Sequence, residues 1–215
     1  MSRPSPTAGM QPSPPDSPAR RRWLAGPVPL ALAATAFGLC TPVLATSPAA
    51  ASAANPAVAR PREVETELPE AMLLGQGRLR FLGLSVYDAR LWVAGPFDPA
   101  AYFRASLALE LVYTRRLVGR LIAERSLEEM QRAPGLDEAT GERWLQAMTR
   151  LFPDVTPGDR LTGVQRPGER VRFFFNGALR GDVADPEFAR RFISIWLGPQ
   201  TSQPTLRQAL LGGLR

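Results

Sequence analysis

Residues 73–93 read LLGQGRLRFLGLSVYDARLWV, and this stretch contains two strand-like runs separated by a glycine. Leu79 and Phe81 alternate with arginines, as expected for a strand with one buried face. Gly83 then interrupts the pattern and indicates a bend or a bulge. In the second run, which ends at Val93, both alternating faces carry apolar residues, so this run is predicted to be an interior strand covered on both sides.

The rest of the chain alternates between strand and helix patterns. Apolar residues recur at helical spacing in two segments between residues 117 and 152, and Asp137 can cap the second. A third helix is predicted to begin after Asp185 and to end at Gly198, and a short last helix covers about 204–211. Further strands are predicted at 106–114, 159–166, 170–175 and 178–183.

The sequence Asn176-Gly177 predicts a β-hairpin, because this dipeptide suits a two-residue type I′ turn. Pairing across the turn places Phe173 opposite Arg180, so that the guanidinium shares a face with phenylalanines. Strands first, two helices in the middle, a hairpin and then helices indicate an antiparallel sheet with its helices gathered on one face. The predicted fold class is therefore α+β.

The composition excludes much of the familiar catalytic chemistry. The chain has 26 basic residues, all arginine, no histidine, and a single cysteine, Cys40. Without histidine there is no imidazole base and no ordinary zinc site, and without lysine no Schiff base can form. We expect no metal and no cofactor.

The net charge of +6 raises the question of nucleic-acid binding, but the basic residues are spread along the chain. From Glu63 onward there are 20 arginines and 19 acidic residues, and they are interspersed. The basic stripe that a nucleic-acid surface needs is missing from this pattern. We therefore expect no nucleic-acid partner.

The N-terminal region has the layout of an export signal. Residues 1–45 combine a Pro/Ser-rich start, the sequence RRRWL at 20–24 and an apolar run, which predicts export to the periplasm by the general or the twin-arginine route. An uncleaved membrane anchor and a lipoprotein attached at Cys40 are the alternatives. Residues 46–64 are predicted to be an Ala/Pro/Ser-rich linker, and residues 65–215 a single folded domain.

Several motifs together resemble the chalcone isomerase-like family. They are Gly75-Gln-Gly77, Val86-Tyr87, Ile195-Trp-Leu-Gly198, Thr201-Ser-Gln-Pro and Leu206-Arg207, and they extend over roughly residues 73–212. The resemblance implies an open-faced β-sandwich, in which a large antiparallel sheet and a helical layer enclose a hydrophobic ligand. Plant enzymes of this family close a chalcone to a flavanone, and non-catalytic members bind fatty acids through an arginine and a tyrosine.

The family's tyrosine position is matched by Tyr87, but its arginine position is occupied by Leu79. Arg78 and Arg80 flank Leu79 and should face the opposite side unless a bulge reorients one of them. Arg180 could replace the missing arginine as a carboxylate anchor, or it could lie at a sheet edge in contact with water.

The remaining site candidates have both a binding and a packing interpretation. Tyr87 could bind a ligand or be a core tyrosine, and Tyr113 could line the same cavity or simply pack. Arg115 and Arg116 are interpreted as solvated residues that precede a helix. Trp144 and Trp196 are predicted to be core residues. The candidate ligand-binding residues are thus Tyr87, Arg180, Tyr113, Arg78 and Arg80.

These observations predict an exported, non-catalytic protein that binds a fatty acid or a similar amphipathic ligand in an apolar cavity. An intramolecular lyase of the chalcone isomerase type is the enzymatic alternative, with Tyr87 and an arginine stabilising the developing charge. A structural accessory protein of the cell envelope is the second alternative. Membrane contact is expected only through an uncleaved leader, and the sequence does not indicate an oligomeric state.

Overall fold

The computed structural model describes residues 58–214. The predicted export signal therefore lies outside the described residues. The described part has six strands and five α-helices, with a 3₁₀ helix at Pro99–Arg104. The strands are β1 (Met72–Phe81), β2 (Leu84–Ala94), β3 (Ser106–Tyr113), β4 (Arg160–Arg166), β5 (Arg170–Phe175) and β6 (Ala178–Val183). The helices are α1 (Arg62–Glu67), α2 (Gly119–Met130), α3 (Glu138–Leu151), α4 (Pro186–Leu197) and α5 (Pro204–Leu210).

The six strands form one antiparallel sheet in the order β1-β2-β3-β4-β5-β6, so each strand pairs with its neighbour in sequence. Residues of α2 to α5 pack on one face of the sheet in a single large core. This arrangement confirms the predicted α+β class, with a large antiparallel sheet and a helical layer. Among the helices at 58–214, none is both long and apolar enough to span a membrane.

Helix α1 covers part of the other face of the sheet. The predicted cover on both faces of β2 is therefore found only near its C-terminal end, where Trp92 is buried, whereas Leu84 at its start is exposed. Val64 and Leu68 pack against Trp92 and Phe174 in a second, smaller core. Glu63 is buried beneath this layer and accepts hydrogen bonds from Arg160 and Thr162. Helix α1 begins at Arg62 and thus overlaps the last residues of the predicted linker at 46–64.

The glycine pair in β1 allows helix α5 to pack directly on the strand. A Cβ atom at Gly75 would collide with the carbonyl oxygen of Leu210, and one at Gly77 would lie 2.8 Å from a methyl carbon of Leu206. Such distances are too short for any side chain. The two glycines are therefore explained by the approach of α5, and this explanation requires no ligand.

Two helices begin at the predicted caps. The Asp137 carboxylate accepts a hydrogen bond from the Thr140 amide, and Asp185 accepts hydrogen bonds from the Glu187 and Phe188 amides. Each aspartate thereby satisfies amide groups that have no partner within the helix. Asp185 also accepts a hydrogen bond from the indole of Trp144, which fixes α3 against the start of α4.

The predicted Asn-Gly turn is confirmed, but the pairing of Phe173 with Arg180 is wrong. Asn176 and Gly177 have φ values of 49° and 87°, as a type I′ turn requires. Beyond Leu179 the register shifts by one residue, so that Phe173 pairs with Gly181 and Arg180 becomes the extra residue of a bulge. A bulge changes the face to which each later residue points.

Candidate functional site

A cavity of about 360 Å³ lies between the sheet and the helical layer. Its floor is formed by β1 to β5, and its roof by α2 and α4. Most of the lining side chains are aliphatic or aromatic. The polar lining residues are Tyr87, Tyr113, Arg115, Arg125, Ser126, Glu129, Ser202 and Gln203.

Aromatic rings form one wall of the cavity. Phe173 contacts Phe192 edge to face with ring centres 5.1 Å apart, and Phe192 contacts Trp196 in the same manner at 5.3 Å. Phe152 packs against Phe173 from the end of α3. Rings that interlock in this way resist collapse into the neighbouring space, which helps to keep the cavity open.

Val86 reaches the cavity beside Tyr87 because of a bulge in β2. Leu79 pairs with Tyr87 while Arg80 pairs with Ser85, so Val86 is the extra residue between them. Val86 and Tyr87 consequently both line the cavity, although strict alternation would place them on opposite faces. The hydroxyl oxygen of Tyr87 accepts a hydrogen bond of 2.9 Å from the indole nitrogen of Trp196.

Tyr113 lies beside Tyr87 on the neighbouring strand. The two residues pair across β2 and β3, and their rings meet edge to face with centres 5.8 Å apart. Within residues 58–214, neither hydroxyl donates its hydrogen to a protein acceptor. Two hydroxyl hydrogens are therefore available to a ligand in the cavity.

Both tyrosines are held in the neutral form. Burial raises the pKa of Tyr87, and the hydrogen bond from Trp196 offsets only part of this effect. Burial also raises the pKa of Tyr113, and the neighbouring Tyr87 adds to the shift. The two residues are thus hydrogen-bond donors at neutral pH, and neither is a ready base.

Arg115 and Arg125 are the cations that line the cavity. Arg125 is already paired with Glu128 and Glu129. Arg115 is exposed, and it makes no ion pair or side-chain hydrogen bond with any residue of the described range 58–214. It is therefore the cavity cation that is free to meet an acidic ligand.

Of the five residues predicted to bind a ligand, the structure brings Tyr87 and Tyr113 together at the cavity, and the three arginines lie elsewhere. Arg78 forms a two-point ion pair with Asp88, with a distance of 2.8 Å between Nη2 and Oδ2. Arg80 is exposed and is not among the lining residues. Arg180 is also exposed, is not among the lining residues, and donates to the carbonyl oxygen of Leu151 from the edge strand β6.

Leu79 occupies the position of the family arginine, and it lines the cavity directly opposite Tyr87. Two residues that were not predicted to bind a ligand also line the cavity. Trp196 belongs to the core as predicted, but its indole also orients Tyr87. Arg115, interpreted above as a solvated residue, continues the alternation of Leu109, Leu111 and Tyr113, so the period of two could have identified it.

No metal centre accompanies this site in the described part of the chain. Among residues 58–214, no three acidic, histidine or cysteine side chains cluster closely enough to bind a metal ion. The acidic residue of the lining, Glu129, is bonded to Arg125 and accepts a 2.9 Å hydrogen bond from the hydroxyl of Ser202. The polar groups that line the cavity are hydroxyl groups, guanidinium groups, the Gln203 amide and the Glu129 carboxylate.

Comparison with known proteins agrees with this architecture. The fold is similar to that of a fatty-acid binding protein from Arabidopsis thaliana, with a TM-score of 0.54 and 16% identity over 66% of this chain and 87% of that chain. An uncharacterized protein from Haemophilus influenzae is 30% identical over 106 residues, which is 49% of this chain. This match covers 52% of that relative, so the chain spans about half of its length. The family model described as chalcone isomerase-like matches residues 57–212, and the chain belongs to the chalcone isomerase-like family.

Proposed function

We propose that this protein binds a fatty acid or a similar amphipathic molecule, whose apolar chain fills the cavity. The observation that carries the proposal is the cavity itself, which has about 360 Å³ of space, apolar walls and a few polar groups. This volume lies within the range of small-molecule sites. The fatty-acid binding activity of the structurally similar Arabidopsis protein supports the same class of ligand.

The head group is proposed to meet Arg115 and the tyrosine hydroxyls. A carboxylate buried without a cation loses its hydration and gains no charge partner, which is strongly unfavourable. Leu79 cannot supply that partner, and Arg125 is already paired with two glutamates. Arg115 thus takes the role that an arginine in β1 has in the family, with Tyr87 or Tyr113 as the second donor.

Binding is favoured over turnover because Leu79 takes the place of the arginine that the enzymatic alternative would use. Lyase chemistry of the chalcone isomerase type needs groups that stabilise a phenolate and an enolate. In this cavity, Leu79 stands opposite Tyr87 where that chemistry would use a cation. Export of the protein to the periplasm is a further part of the proposal, and its support is the export pattern at residues 1–45.

Mass spectrometry of the purified protein tests this function. Under native conditions we expect an added mass that disappears on denaturation and is recovered as an amphipathic lipid in the organic extract. A chalcone absorbance assay on the same sample measures the enzymatic alternative. An empty protein that consumes chalcone would contradict the proposal, and an empty protein without turnover would favour a structural role.

A further inference from the structure

The tip of the β1–β2 hairpin exposes three large apolar side chains beside the cavity mouth. Phe81, Leu82 and Leu84 are 61%, 86% and 58% exposed, respectively. Phe81 also lines the cavity, so the apolar tip and the cavity are continuous. An exposed apolar cluster next to a cavity mouth commonly marks a contact surface.

The backbone conformation of the turn at this tip is unfavourable for a leucine. Leu82 and Gly83 have φ values of 49° and 79°, which is the left-handed region that suits asparagine and glycine. The turn at Asn176 has the same φ of 49°, and there the side chain bonds to its surroundings through Arg160 and Asp159. Leu82 instead combines an unfavourable backbone conformation with an isobutyl group in water. Folding alone does not explain leucine at this position.

A second apolar element lies across the mouth. Leu121 is 51% exposed at the start of α2 and lines the cavity together with Phe81. Val118, one turn earlier, is also exposed. The Thr114 amide donates a 3.0 Å hydrogen bond to the carbonyl of Val86, which holds the segment before α2 against the start of β2. The hairpin tip and the start of α2 therefore form one surface around the opening.

Positive charge surrounds this surface. Arg80, Arg115 and Arg116 are exposed, and in the described range 58–214 none of them forms an ion pair. The nearby acidic groups are neutralised, since Asp88 pairs with Arg78 and Glu124 pairs with Arg120. The opening thus combines an apolar tip with cations that lack acidic partners.

We propose that this surface docks on an anionic phospholipid bilayer. We name it the tip surface and define it by Phe81, Leu82, Leu84, Val118 and Leu121 with Arg80, Arg115 and Arg116. The apolar tip would enter the lipid interface while the arginines contact phosphate groups, which is the combination that interfacial binding requires. The cavity mouth would then open against the bilayer, so that an amphipathic ligand passes between them without crossing water.

Charge complementarity favours a bilayer over a second copy of this chain. Two tip surfaces facing each other would bring unpaired arginines together, and like charges oppose such a contact. An anionic lipid surface offers the opposite charge over the whole area. The docking inference adds to the proposed function and is measured without ligand, so that its failure would leave ligand binding intact.

A fluorescent label on the tip tests this inference in the full-length chain. Cys40→Ser removes the native thiol, and Leu82→Cys then carries an environment-sensitive fluorophore. Leu179→Cys is the matched control, because Leu179 is 56% exposed on β6 at the opposite edge of the sheet. Because the label reports only its own surroundings, a membrane-bound leader would not produce the signal at position 82.

Vesicles of equal parts phosphatidylglycerol and phosphatidylcholine should raise the emission at position 82 by roughly twofold or more, as expected for transfer into the lipid interface. Pure phosphatidylcholine vesicles and the label at position 179 should give little change. Arg80→Gln with Arg116→Gln should weaken vesicle binding by roughly 10- to 30-fold. Equal signals at the two label positions, equal signals with both vesicle types, or a signal that rises with protein concentration alone would each overturn the proposal.

Leu82→Asn provides a second, independent test. Asparagine suits the left-handed turn and is polar, so it should raise the midpoint of thermal unfolding while lowering vesicle binding by roughly tenfold. If Leu82 served folding instead, Leu82→Asn would lower the midpoint of thermal unfolding and leave vesicle binding unchanged. Stabilisation together with loss of binding is thus the outcome expected of a functional leucine.

Discussion

The indole nitrogen of Trp196 donates a 2.9 Å hydrogen bond to the hydroxyl oxygen of Tyr87, and this bond joins α4 to β2 at the cavity wall. The bond fixes the direction of the phenol and leaves its own hydrogen available. A tyrosine held in this way can donate to a ligand without first rearranging, which lowers the cost of binding.

Tyr87→Phe should reduce both stability and ligand affinity. The substitution leaves the N–H of Trp196 without its acceptor in a largely buried place, so the free energy of unfolding should fall by about 1–2 kcal/mol. Tyr113→Phe is the matched control, because the Tyr113 hydroxyl has no protein partner within residues 58–214, and this variant should lose less stability. Urea unfolding measures the stability of both variants, and equal losses of stability would contradict this account.

Arg115→Ala should weaken the binding of fatty acids by about tenfold, because a charge-assisted hydrogen bond to the carboxylate is lost. The methyl ester of the same acid lacks the charge, so its affinity should hardly change. Arg180→Ala is the control for removing an arginine from the protein, since Arg180 lies outside the cavity. A loss of affinity with Arg180→Ala, and none with Arg115→Ala, would restore Arg180 as the anchor. Isothermal titration calorimetry distinguishes the two outcomes.

The stability of the fold should decline as the pH rises above 10. All three tyrosines of the chain have a raised pKa because of burial, whereas the unfolded chain ionises tyrosine near the ordinary value of 10.0. Their contribution is complete below pH 10 and is lost at higher pH, by up to about 1.4 kcal/mol per pH unit for each tyrosine. The chain has no lysine, so no lysine titration overlaps this range.

Urea unfolding between pH 9 and 11.5 measures this decline, and the double variant Tyr87→Phe/Tyr113→Phe should show a smaller slope. Absorbance near 295 nm reports tyrosinate directly. If the folded protein formed three tyrosinates with an ordinary midpoint, the buried, neutral state of the cavity tyrosines would be wrong.

Glu63→Gln tests whether α1 is an integral part of the domain. The Glu63 carboxylate is buried and accepts hydrogen bonds of 2.9 Å and 2.7 Å from Arg160 and Thr162. Burial alone would raise the pKa of Glu63, but these partners outweigh it and lower the pKa. Loss of the charge should lower the free energy of unfolding by about 3 kcal/mol.

The lowered pKa of Glu63 predicts how the stability of the Glu63→Gln variant depends on pH. A lowered pKa in the folded state contributes stability above the unfolded value of 4.5, and this contribution disappears as the pH falls further. The difference in the free energy of unfolding between wild type and Glu63→Gln should therefore shrink at acidic pH.

An exposed pair, Arg120 and Glu124, provides the comparison, and Glu124→Gln should lower the free energy of unfolding by less than about 0.5 kcal/mol. Equal costs for the two variants would mean that α1 does not dock as described.

Local sequence rules were sufficient for the elements that depend on local chemistry. Asn176-Gly177 forms its turn because both residues accept positive φ, and Asp137 and Asp185 cap their helices with their own carboxylates. The family resemblance then gave the open-faced arrangement of sheet and helices, which the family match confirms.

Bulges explain most of what the sequence did not predict. The extra residues at Val86 and Arg180 reverse the alternation beyond them. Val86 has no glycine beside it, and Gly181, which follows Arg180, does not by itself distinguish a bulge from regular pairing. One bulge brings Val86 to the cavity beside Tyr87, and the other takes Arg180 out of register with Phe173. The burial of Glu63 between α1 and the sheet was also not predicted, because a six-residue helix has too short a pattern to recognise.

The most direct test of the central claim is the binding of a fluorescent polyene fatty acid to protein from which any bound lipid has been extracted. Leu111→Trp places an indole in the cavity, and Leu179→Trp places one on the surface of β6. We expect one ligand per chain in the wild type and in Leu179→Trp, and at least about tenfold weaker binding in Leu111→Trp, because the added ring occupies the ligand's space. Equal affinity in all three proteins, or no binding by the wild type, would contradict a cavity that holds an amphipathic ligand.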